Sequence, residues 1–93
     1  MSLNQSANWL VTYDIAEERR LSRVFKRLNK AGVPVQYSVF SVNANTLQMK
    51  TLMAELAGHI NAKEDDIRAY RLPENGWRAE LGATILPDGL WLE

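Results

Sequence analysis

Hydrophobic positions along this chain follow two periods. Trp9-Leu10-Val11-Thr12-Tyr13 is a nearly continuous apolar run, and it predicts a strand over Trp9–Ile15 buried on both faces. Leu21, Val24, Phe25, Leu28 and Ala31 then recur at helical spacing. A helix opening at Glu17-Glu18 would lay that face on a sheet, with its acids at the positive end of the helix dipole. Gly32 and Pro34 stop it. Residues 33–42 are rich in β-branched and aromatic side chains and read as strand. Strict alternation puts Val35, Tyr37 and Val39 on one side and Gln36, Ser38 and Phe40 on the other, and it leaves open whether this is one long strand or two short ones.

Asn43-Ala44-Asn45-Thr46 is turn and cap chemistry. Met49, Leu52, Met53, Leu56 and Ile60 predict a second helix running to about Ala62, weakened near its end by Gly58. Residues 63–66 read as a solvated loop, Ile67–Leu72 as a strand and residues 73–76 as a turn. Trp77–Ile85 could form a last strand, with a further turn at residues 87–89 before Leu90-Trp91-Leu92. The order implies an α+β protein, a ferredoxin-like sandwich (βαββαβ) with a strand-like C-terminal tail. Polar residues 1–8 are expected to be a disordered leader, and residues 9–93 a single domain. The tail over residues 77–93 carries Trp77, Leu81, Ile85, Leu90 and Trp91, apolar content suited to a dimer or partner interface. A chain of 93 residues buries only about 60–65% of its unfolded surface, so a homodimer would thicken a thin core.

Composition narrows the chemistry. The absence of cysteine excludes disulfides, thiolate metal sites and cysteine nucleophiles. No apolar run approaches the ~18 residues of a membrane span, and the N-terminus lacks the pattern of a signal peptide. A cytoplasmic protein with no membrane partner is the expectation. A formal net charge of zero argues against a general nucleic-acid binder, but the charge is polarised. Arg19, Arg20, Arg23, Lys26, Arg27 and Lys30 fall within residues 19–30, which hold no acid, and the stretch 64–93 carries seven acids against three bases. Local fields of this kind steer ligands where averages do not.

Asp14, at the end of the first apolar run, is the sharpest candidate for chemistry. It can hold a metal ion, or it can cap the following helix. One carboxylate is too few for magnesium, which wants octahedral oxygen ligands, so carbonyls, waters or a second Asp14 brought by a twofold axis would complete the shell. Tyr13 either stacks on a base or fills the core. The basic run is either a solvated face or a phosphate-binding surface; it forgoes the acidic i,i+4 partners that would stabilise a helix. His59, the only histidine, has no other ligand near it in sequence. The serines lack a visible base, and no glycine-rich phosphate loop is present.

Tyr13-Asp14-Ile15, the run Glu17 to Val24, Gly32 and Gln36-Tyr37-Ser38-Val39-Phe40 together resemble the CRISPR-associated protein two family, and Asp66–Leu72 resembles that family's fourth-strand segment. The resemblance covers roughly residues 9–72. It implies a ferredoxin-like homodimer that acts with the CRISPR integrase in acquiring new spacers. It also implies a magnesium-dependent endonuclease on single-stranded RNA or double-stranded DNA, or a structural bridge for DNA. Carried over, Asp14 would bind Mg2+ with its symmetry mate and Tyr13 would neighbour it at the catalytic centre. The basic helix would meet phosphate, and Ser38 and Phe40 would lie by the cleft. Two positions depart from the pattern: Pro34 stands where a basic residue is common, and Ser41 where an acid often follows the Phe. Both weaken the nuclease reading more than the bridging one. A toxin-like ribonuclease or a small-ligand regulatory module on the same fold is the reading from outside CRISPR biology.

Overall fold

The structure is a computed structural model that describes residues 4–73. The strand expected at Trp77–Ile85 and the apolar tail with Trp91 lie outside the described residues. Within them the chain runs β1 (Ala7–Asp14), α1 (Glu18–Ala31), β2 (Gly32–Gln36), β3 (Val39–Ala44), α2 (Thr46–Ala57) and β4 (Asp66–Arg71). The four strands form one antiparallel sheet in the order β2-β3-β1-β4. This is the ferredoxin-like sandwich. The strand signal of residues 33–42 resolves into two strands joined by the tight turn Tyr37-Ser38.

Alternation along the strands sorts the core. Val11, Tyr13, Phe40 and Val42 point to the helices and meet Val24, Leu28, Leu52 and Leu56. Leu10 and Val39 point the other way, stand apart from that cluster and are nonetheless buried. On β1 the helix-side Val11 and Tyr13 are buried, while the opposite face is buried only at Leu10, with Asn8 and Thr12 partly exposed and Asp14 exposed, so the burial on both faces expected from the apolar run holds only at the middle of the strand. The strand begins at Ala7, further back than the hydrophobic run, because Ala7 and Asn8 pair with Ala44 and Asn43. The Asn43 amide also donates to Asn8 Oδ1 at 3.0 Å.

Three local choices shape the strands and helices around the site. Gly32 closes α1 through its N–H to the Leu28 carbonyl, yet its φ of −161° is ordinary extended backbone. The glycine is required by space, since a Cβ there would lie 2.1 Å from the Ser41 carbonyl oxygen of the neighbouring strand. Pro34 sits on the edge strand β2, where a missing N–H costs least. Ser38 takes a φ of 63°, the left-handed region, to turn β2 into β3, and its carbonyl accepts the Tyr13 N–H at 3.1 Å. The hairpin tip is thereby fastened to the end of β1.

The second helix stops at Ala57, several residues before the expected end at Ala62. Asn45 and Gln48 form a reciprocal capping box at its start. At its end the Gly58 N–H bonds back to Glu55 and Leu56, and the Asn61 N–H goes to the Asp65 carboxylate at 2.8 Å instead of to a helical carbonyl. Ile60 still packs on the core, but from the turn after the helix.

Two substitutions separate these causes. Gly32→Ala forces β2 away from β3 and should destabilise by about 2–3 kcal/mol, the usual range for overpacking. Ser38→Gly relieves a left-handed residue at the cost of a freer unfolded chain, and should stay within about 1 kcal/mol of wild type. Urea unfolding of both variants checks the pair.

Candidate nucleic-acid interface and carboxylate site

Asp14 is the last residue of β1, exposed, and is the register partner of Asp66 at the start of β4. Its neighbour Tyr13 points into the helix-side core at 8% exposure, so alternation sends the Asp14 carboxylate to the opposite face. Tyr13 and Asp14 are adjacent in sequence and separated by the sheet in space. The tyrosine expected beside the catalytic carboxylate is thus a core residue. Burial, and secondarily the Tyr37 phenol beside it, push its hydroxyl above the ordinary tyrosine range, so it stays protonated at neutral pH.

Most of the acids around the β1–α1 junction are already engaged. Glu17 caps α1, accepting from the backbone N–H groups of Arg19 at 3.1 Å and Arg20 at 3.0 Å. Those bonds hold its carboxyl below the usual range. This removes the capping reading of Asp14. Glu64 and Asp65 bind Arg20, and Asp66 accepts from Arg68 Nε at 2.8 Å. Glu18 makes no hydrogen bond or ion pair among the described residues and lies in the first turn of α1, where the helix dipole favours its charge. Among the described residues Asp14 has no hydrogen-bond or ion-pair partner.

Asp65 was expected in a solvated loop; its side chain is fully buried. It accepts from the Ala16 N–H at 2.9 Å, the Asn61 N–H at 2.8 Å and Arg20 Nε at 2.7 Å. These partners, Arg20 foremost, hold its carboxyl well below the ordinary 3.8. Nothing in hydrophobic periodicity could have found it, because a buried acid is visible only through its partners. Together these bonds fasten the loop after Asp14 to the first turn of α1 and to the segment that enters β4.

The basic run divides accordingly. Arg20 is spent inside the fold on Asp65 and Glu64, and Arg27 bridges to Glu55 on α2 at 2.6 Å. Arg19, Arg23, Lys26 and Lys30 are exposed and make no salt bridge among the described residues. Their spacing of four, three and four aligns them as one stripe on α1. That stripe lies on the helix layer, and strand alternation puts the Asp14 carboxylate on the far face of the sheet.

Ser38 and Phe40 line a groove of about 610 Å³ between α1 and the β2–β3 hairpin, shared with Tyr13, Phe25 and Tyr37 and not with Asp14. As for metal ligands, the described residues contain no group of three or more candidate side chains. Also among the described residues, no helix is long and apolar enough to cross a membrane.

A family model described as CRISPR associated protein Cas2 matches residues 7–80. The chain is 37% identical over 84 residues to the CRISPR-associated endoribonuclease Cas2 1 of Nitrosomonas europaea, covering 90% of this chain and 80% of that one. It is 40% identical over 83 residues to the CRISPR-associated endoribonuclease Cas2 2 of Thermodesulfovibrio yellowstonii, covering 88% and 91%. A solved structure of Streptococcus pyogenes Cas2 superposes with a TM-score of 0.69 at 34% identity, covering 77% of this chain and 93% of that one.

The Asp65 cluster predicts an acid-labile fold. A carboxyl depressed in the folded state stabilises above its unfolded pKa and loses that contribution as pH falls. Stability should therefore drop below about pH 4. Asp65→Asn should lower the melting temperature at neutral pH by more than about 10 °C, because it leaves the half-buried Arg20 without its main counter-charge. It should also flatten the acid limb, whereas the exposed Asp66→Asn should do neither. Thermal melts from pH 2 to pH 7 give both readouts.

Proposed function

The chain belongs to the CRISPR-associated protein Cas2 family, and on that premise we propose that it is a metal-dependent endonuclease whose reactive centre is Asp14. It would act as a homodimer in the cytoplasm during spacer acquisition, together with the CRISPR integrase. The observation that carries the reading is the free, exposed carboxylate of Asp14 at the end of a rigid central strand, at a junction where the neighbouring acids are engaged or explained.

The donor set fits magnesium as a half-site. Asp14 offers hard carboxylate oxygen, and Asp66 stands beside it on the next strand, though committed to Arg68. Mg2+ is commonly held by one or two carboxylates plus substrate phosphates. A second copy contributing its own Asp14 would complete the arrangement. A bound metal would lower the pKa of an attacking water and neutralise charge on the phosphate. The chain's own part is to hold Asp14 in place, through the β1 ladder on one side and the Asp65 anchor of Ala16 on the other. The stripe Arg19, Arg23, Lys26 and Lys30 would bind backbone phosphates without reading sequence. The endoribonuclease names of the two relatives support RNA as the first substrate to test.

A second reading has its own support. Within one chain the basic stripe and Asp14 occupy opposite layers, and Pro34 and Ser41 depart from the nuclease pattern. A dimeric scaffold that bridges double-stranded DNA needs only the stripe.

Cleavage of single-stranded RNA and of duplex DNA, with magnesium and with chelator, separates these. Asp14→Ala should abolish metal-dependent cleavage and leave the melting temperature within about 2 °C of wild type, since the side chain is exposed and makes no hydrogen bond or ion pair among the described residues. Undiminished cleavage in that variant rules out the catalytic assignment. Salt-sensitive duplex binding by both proteins with no cleavage by either establishes the bridge instead.

A further inference from the structure

We infer that the groove between α1 and the β2–β3 hairpin is a stacking site for an unpaired nucleobase of a single-stranded nucleic acid. The inference rests on the nucleic-acid reading above and extends it from phosphate binding to base binding. Tyr37 is 87% exposed at the hairpin tip and Phe25 is 44% exposed on the facing side of α1. Both line the same groove. Exposed aromatics that share one concavity form a patch that water solvates poorly and a flat π-surface fills well.

The two rings are presented by anchored elements. Phe25 stands edge-on to the buried Phe40 with centroids 5.5 Å apart. The turn that carries Tyr37 is pinned by the bond from the Tyr13 N–H to the Ser38 carbonyl. The groove, at about 610 Å³, falls within the range of small-ligand sites.

Charge decides which flat ligand fits. Ser22 lines the groove from α1, and Arg19 and Lys26 lie three residues before and four residues after it, hence next to it on the helix surface. A base seated between Phe25 and Tyr37 would set its own phosphate toward that pair of cations. Glu18 also lines the groove, one turn before Ser22, and its negative charge would turn a phosphate away from itself and toward Arg19 and Lys26. A stacking platform flanked by cations is how single strands are held without sequence preference. A duplex cannot use it, because its bases are already stacked.

The test is binding to the full chain, by fluorescence anisotropy in chelator. The probes are a labelled oligouridylate, the same strand with abasic sites, and a blunt DNA duplex. Tyr37→Ala should weaken binding of the single strand by about 5- to 150-fold, and Tyr37→Phe should restore it. The abasic strand should bind wild type as weakly as the intact strand binds Tyr37→Ala, and duplex affinity should not change. Because Tyr37 is so exposed, the variant should fold, which its melting curve checks. Equal single-strand affinity in wild type and Tyr37→Ala overturns the stacking site while the phosphate stripe stands. Wild type that binds neither strand nor duplex overturns the nucleic-acid reading and this site with it. A change of oligomeric state in Tyr37→Ala overturns the assignment in favour of a contact between copies.

Discussion

The architecture around the candidate site depends on one buried carboxylate. Asp65 has no exposed side-chain surface, and it survives as an anion because Arg20 and two backbone N–H groups replace the water it gave up. An unpaired charge in that position would be prohibitive, and a half-satisfied one nearly so. The partners come from the β1–α1 loop, the first turn of α1 and the segment after α2. A single side chain therefore ties the first turn of the basic helix to the segment that follows α2. It also fixes the loop that follows Asp14. None of these is a hydrophobic contact, and together they orient the layers that hydrophobic burial only brings together.

The sheet separates two kinds of chemistry. Its helix side carries the main core, the aromatic groove and the basic stripe. Its other side carries the free Asp14 carboxylate. Among the described residues a single copy thus holds the basic stripe and the Asp14 carboxylate on different layers, with Asp66 beside Asp14 but committed to Arg68, which is why the proposed reaction calls for a second copy. The hairpin between β2 and β3 contributes to the first face only. Its left-handed Ser38 and its bond to Tyr13 hold Tyr37 out into solvent, where core packing gains nothing from it.

Element types were legible from residue patterns because burial imposes a period. The continuous run of β1 declared a central strand, and Leu21, Val24 and Leu28 declared the inner face of α1. Boundaries were less legible. The end of α2 turned on the Gly58 and His59 N–H groups bonding back to Glu55 and Leu56 in tighter turns, a change of hydrogen-bond pattern that is invisible to periodicity. The strand pairing of Ala7 and Asn8 is likewise supplied by β3, across more than thirty residues of chain.

The sequence by itself determined the α+β order, the family through its Tyr13-Asp14-Ile15 and Gln36–Phe40 segments, and Asp14 as the residue to watch. Those follow from local pattern and residue type. Only the tertiary structure decided which of six clustered cations are free. Arg20 and Arg27 look like their neighbours along the helix, but their partners, Asp65 and Glu55, arrive from distant segments. It also decided that Tyr13 and Asp14 part company across the sheet and that Phe25 and Tyr37 share a groove. Charge and aromaticity are properties of a residue, whereas availability depends on what the fold places beside it.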